Sequence, residues 1–113
     1  MVTIYHNPMC SKSREGLGVL EELGIDFDVV KYLDATVTKK ELKALLKKLG
    51  MKPMDIVRQK EPVWIEQYKG GKFTNEEIIN ILLKHPILIE RPIVVNGHKA
   101  VIGRPASNIS LIL

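Results

Sequence analysis

The chain has 113 residues, 45% apolar and 27% charged, with a formal net charge of +4. That length supports one hydrophobic core, and the balance is that of an ordinary globular domain rather than a disordered or low-complexity chain. No apolar run approaches the roughly 20 residues that span a bilayer, so neither a membrane partner nor a secretory leader is expected.

The first strand is expected over Thr3–Tyr5, preceded by Val2, and a loop containing Pro8 leads from it to Cys10. A helix over Ser11–Leu23 follows, with Leu17, Leu20 and Leu23 as its inward stripe and Gly24 as its stop. Phe27–Tyr32 reads as a second strand between Asp26 and Asp34, which makes a βαβ unit with parallel strands. Thr38-Lys-Lys-Glu41 is a capping box, opening a helix whose Leu42, Leu45, Leu46 and Leu49 share one face before Gly50. Pro53–Val57 reads as a helical turn and Arg58–Lys72 as irregular chain with a turn at Gly70-Gly71. A second capping box, Thr74 to Glu77, starts a helix through Lys84, with Ile78, Ile81 and Leu82 inward and His85-Pro86 at its end. Ile93–Val95 and Ala100–Ile102 form a hairpin about Asn96-Gly97, and Pro105 begins a last helix toward Leu113. The order is β-α-β, a helical insertion at about 35–86, a hairpin and a helix. It fits a single α/β domain over residues 1–113, a thioredoxin-like fold with a mixed four-stranded sheet. Pro92, immediately before the third strand, is the expected cis proline of that fold.

Cys10 is the only cysteine, which excludes an intrachain disulfide and suits a reducing cytoplasm. Buried apolar cysteines are common. This one instead sits where a loop enters a helix, facing the unpaired N–H groups of the first turn, and those groups favour thiolate over thiol. Ser13 occupies the last place of a C-x-x-C pattern, so no internal resolving thiol exists, and its hydroxyl is a candidate partner of the thiolate. His6 lies four residues before Cys10 and is a candidate to stabilise the thiolate or take its proton. His85 and His98 are weaker candidates, and without spaced partners no metal site is expected. Arg91 and Arg104 adjoin prolines at opposite ends of the hairpin, which the fold brings near the start of the first helix. With Arg58 they would frame a thiolate with guanidinium groups, a pocket for a tetrahedral oxyanion. Position 16 is glycine, where the cysteine loop of a phosphatase would need arginine. The lysines at 39, 43 and 47 read as a solvated helix face, and one Trp and two Phe make no stacking platform, so nucleic acid is not an expected partner.

These residues resemble the glutaredoxin-dependent arsenate reductases, the ArsC family of thioredoxin-like folds. The likeness runs from Ile4-Tyr5-His6-Asn7-Pro8 and Cys10 through Ser13-Arg14, Tyr32-Leu33, Val57-Arg58 and Phe73-Thr74. It is strongest over His85-Pro86-Ile87-Leu88-Ile89-Glu90-Arg91-Pro92-Ile93-Val94-Val95 and ends at Gly103-Arg104-Pro105. The resemblance implies that Cys10 attacks arsenate, that Arg58, Arg91 and Arg104 bind the oxyanion, and that His6 lies near the thiolate. It further implies no bound cofactor, with glutathione as co-substrate and glutaredoxin as the partner that resolves the mixed disulfide as arsenite is released. Two other readings share the fold: a glutathione-dependent thiol reductase with another substrate, and a regulator resembling the Spx-type proteins that bind RNA polymerase. Those regulators usually carry the C-x-x-C switch that Ser13 removes here, and generally lack a match to Gly103-Arg104-Pro105.

Overall fold

The computed structural model describes residues 1–34 and 37–113, and the expected start of the insertion at residue 35 lies outside them. Two compact units make up the chain, Met1–Ala35 with Arg91–Leu113, and Thr36–Glu90.

The first unit holds a four-stranded sheet: β1 (Val2–Tyr5), β2 (Phe27–Val30), β3 (Ile93–Asn96) and β4 (Lys99–Ile102), in the order β2-β1-β3-β4. β1 is parallel to β2 and antiparallel to β3, with Ile4 opposite both Val29 and Val94. The right-handed crossover favoured for such a unit runs through α1 (Ser11–Glu22). Val2, Ile4, Leu20, Val94 and Ile109 form the core, and each such fully buried side chain contributes about 1.5–3 kcal/mol.

Four expectations for this unit are corrected. The second strand stops at Val30 rather than Tyr32, because its partner β1 ends at Tyr5 and the ladder closes with His6 N–H donating to the Val30 carbonyl at 2.9 Å. Tyr32 is nonetheless only 1% exposed, buried by packing rather than by strand pairing. Leu23 is not part of the inward stripe of α1: it is exposed at the C-cap, and the buried positions are Ser13, Gly16 and Leu20. A Cβ on Gly16 would stand 2.7 Å from Pro92 Cγ, so the inward face of α1 carries small residues where a ring must approach. The final helix, Ala106–Ile112, is a 3-10 helix. The hairpin turn falls on Gly97-His98, with Asn96 still paired to Lys99 and Gly97 at φ 63°. Arg91–Pro92 is cis as expected, and Arg104–Pro105 is cis as well.

The second unit is helical: α2 (Lys39–Leu49), α3 (Pro62–Gln67) and α4 (Asn75–Lys84), with 3-10 turns at Pro53–Ile56 and Pro86–Leu88. Thr38 Oγ1 accepts the Glu41 N–H at 3.1 Å, and Gly50 closes α2 at φ 66°. Both halves of the second capping box are present, Glu77 N–H to Thr74 Oγ1 at 3.2 Å and Thr74 N–H to Glu77 Oε1 at 2.9 Å. α3 lies inside the stretch expected to be irregular. Six residues are too few to show a helical period; Pro62 at the first position and the buried Trp64, packed against Tyr68 and Phe73, define it. Lys39 and Lys43 lie on the solvated face of α2, where both pair with Glu76 of α4 at the surface.

Candidate active site

β1 delivers the chain to a tight loop that Asn7 shapes. Its Oδ1 accepts the Met9 N–H at 3.0 Å, and its carbonyl accepts the Cys10 N–H at 3.1 Å. An asparagine at the head of a turn does this because its short side chain mimics a backbone acceptor. Arg14 returns from α1 to donate to the Pro8 carbonyl at 2.8 Å. Asn7 is only 2% exposed. Sequence reasoning assigned no role to Asn7 or Arg14, although an asparagine before proline is itself a turn signal.

Cys10 is the N-cap of α1, in extended conformation (φ −101°, ψ 123°), and is half-buried. Burial alone would raise its pKa. Hydrogen bonds from the Ser13 N–H, the Arg91 side chain and the Lys12 N–H, together with the Arg91 charge, outweigh it and bring the thiol below its ordinary 9.0. Arg104 Nη2 also donates to the sulfur, at 3.2 Å. The two arginines are linked, because Arg104 Nε donates to the Arg91 carbonyl at 2.7 Å. Arg91 therefore acts twice, through its buried guanidinium and through the carbonyl that orients Arg104.

Ser13 meets the sulfur through its backbone rather than its hydroxyl. The hydroxyl shares a 2.7 Å hydrogen bond with His6 Nδ1 and accepts the Asn7 N–H at 3.0 Å. His6 is thus placed on Ser13, beneath the loop. Burial chiefly, then the charges of Lys31 and Arg14, lower its pKa, while hydrogen bonding with the Ser13 backbone works the other way. The downward shift favours the neutral imidazole over the cation. Pro92 is fully buried, with Gly16 and Gly103 on its ring: a Cβ on Gly103 would lie 3.0 Å from Pro92 Cγ.

Arg58 belongs to the second unit, where Nε donates to Glu61 at 3.2 Å and Nη1 to Glu90 at 2.8 Å. Its backbone N–H donates to the Leu88 carbonyl at 2.8 Å beside the Val57–Ile89 bridge. His85 accounts for itself in the same unit, sharing a 2.9 Å hydrogen bond with the Tyr68 hydroxyl. Among the described residues no group of three or more His, Cys, Asp and Glu gathers as a metal site, and no helix is long and apolar enough to cross a membrane.

A parallel pair extended by an antiparallel hairpin, with one activated cysteine at the head of the first helix, defines a thioredoxin-like domain carrying a monothiol site. The chain belongs to the ArsC family, whose model matches residues 5–112. It is 44% identical over 117 residues to the arsenate reductase of Haemophilus influenzae, covering 99% of this chain and 98% of that protein. The arsenate reductase of Neisseria meningitidis serogroup A is 41% identical over 114 residues, covering 99% and 97%. A solved arsenate reductase from Vibrio cholerae superposes with a TM-score of 0.94 at 42% identity, covering 99% of this chain and 97% of the other.

Proposed function

We propose that the protein is an arsenate reductase with Cys10 as its nucleophile. The observation that carries the reading is the double guanidinium contact at the sulfur, Arg104 at 3.2 Å and Arg91 beside it, on a thiol already held below its ordinary pKa. Cationic donors at that spot offset the charge of an incoming oxyanion and hold it next to the thiolate.

In this reading the Cys10 thiolate displaces one arsenate oxygen, which leaves as water after protonation, and a sulfur–arsenic(V) bond forms. A glutathione thiolate then attacks Sγ. The sulfur–arsenic bond breaks with its electron pair going to arsenic, which leaves as arsenite in the +3 state, and a Cys10–glutathione disulfide remains. Glutaredoxin exchanges that disulfide and restores the thiol. The requirement for external thiols suits the absence of a second cysteine and a reducing cytoplasm. Arg58 joins as a third oxyanion ligand on the family resemblance alone. His6 and Ser13 serve by holding the loop and first turn in place, on the strength of their mutual hydrogen bond.

The test is arsenite formation from arsenate by the purified protein with glutathione, glutaredoxin and coupled NADPH recycling. Turnover that Cys10→Ser abolishes is expected; a rate no higher than the protein-free blank would sink the reading.

A further inference from the structure

Arg104 reaches Cys10 from a short turn between the end of β4 and the C-terminal 3-10 helix, and one side chain spans that turn. Asn108 Nδ2 donates to the Arg104 carbonyl at 3.0 Å and to the Ile102 carbonyl at 3.4 Å. Its own N–H donates to the Pro105 carbonyl at 3.0 Å. The Ile102 carbonyl also accepts the Arg104 N–H at 2.9 Å, and Gly103 N–H donates to Pro92 at 2.9 Å. The neighbouring Ile109, fully buried, places Cδ1 3.3 Å from where a Gly103 Cβ would stand. The turn is thus gripped by an apolar contact at Gly103 and a polar one at both flanking carbonyls. An arginine side chain has four rotatable bonds, so where its guanidinium ends depends on how firmly its backbone is held.

We propose that Asn108 is a positioning residue: by bridging the Ile102 and Arg104 carbonyls it fixes the turn from which Arg104 reaches the Cys10 sulfur. A primary amide is suited to this because one nitrogen carries two N–H donors, one for each carbonyl. The inference deepens the reading of Cys10 as nucleophile and rests on it for its relevance to catalysis. Its readout is thiolate formation, which needs no arsenate. The charged groups facing the sulfur are Arg91 and Arg104, with the neutral N–H groups of Lys12 and Ser13, while Arg14 is turned to the Pro8 carbonyl.

The experiment follows Cys10 alkylation by iodoacetamide against pH. A control comes from another contact on the same helix: Asn96, at the end of β3, donates through Nδ2 to the Ile112 carbonyl at 2.8 Å and anchors the far end of the helix. Asn108→Ala is expected to move the alkylation midpoint upward, slowing the reaction about three- to tenfold at pH values below it. Asn96→Ala loses comparable stability and leaves the midpoint in place. In an Arg104→Ala background the Asn108 substitution adds no further shift. Asn108→Leu, of similar volume and without donors, gives the same result should the alanine variant fold poorly. An unmoved midpoint in both Asn108 variants, an equal shift in Asn96→Ala, or a full shift without Arg104 would overturn the proposal. Failure of arsenate turnover with an intact Asn108 effect would instead count against the substrate alone.

Discussion

At the scale of single residues, the site depends on what surrounds one sulfur. The hydrogen bonds and charge that outweigh burial at Cys10 predict half-maximal alkylation below pH 9.0, the ordinary thiol value. Arg91→Lys keeps a charge but loses the planar fork, so kcat/KM for arsenate is expected to fall roughly 100-fold while the chain stays folded. Steady-state kinetics beside a melting curve check both halves. His6 gives a prediction of stability with a definite sign. Its folded pKa lies below the unfolded value of 6.5, so on acidification the unfolded chain takes up the proton first. Stability is full above pH 6.5 and falls as pH drops from there toward the folded pKa. Urea unfolding at a series of pH values should show this slope and lose it in His6→Asn; an unchanged slope would mean another group is responsible. The residues that meet at the sulfur, Cys10, Arg91 and Arg104, were legible because a lone cysteine at a strand–loop–helix junction and two Arg-Pro pairs stand out in a sequence. What Ser13 and His6 touch was not legible. A serine three residues into a helix can offer either its hydroxyl or its N–H, and only the placed backbone decides.

At the scale of elements, α1 shows why a hydrophobic count misreads a buried face. The residues turned inward are Ser13, Gly16 and Leu20, and Gly16 is there because the Pro92 ring needs its room. Two glycines of one helix should therefore respond oppositely to alanine. At Gly18 nothing lies within 4 Å of a new Cβ, so Gly18→Ala should gain up to about 1 kcal/mol of helix propensity. At Gly16 the same gain meets a 2.7 Å clash, and overpacking of about 1–3 kcal/mol makes the net change a loss. Chemical denaturation of the two variants measures the contrast, and a stabilised Gly16→Ala would contradict the packing of Pro92. The capping boxes, with Gly50 after α2 and His85-Pro86 after α4, made both helices readable to within a residue or two. α3 escaped notice because so short a helix is defined by the burial of Trp64 rather than by a repeating pattern. β2 was read too long because strand length depends on a partner that sequence periodicity does not see.

At the scale of the whole molecule, the proposed chemistry rests on an economy: one sulfur, guanidinium groups beside it that would receive an anion, and reducing equivalents that would come from outside the chain. The fold class was legible because each βαβ and hairpin signal agreed with the next, and such agreement across segments is what specifies a topology. The division of the chain into two compact units was not, since it depends on where packing contacts thin out. The most direct test is a single turnover without glutaredoxin. With protein, arsenate and glutathione, intact-mass analysis should show a glutathione adduct on Cys10 that forms only when arsenate is present, accompanied by one arsenite per adduct. No adduct should form in Cys10→Ser. An adduct that forms equally without arsenate, or arsenite released with Cys10 replaced, would contradict the account.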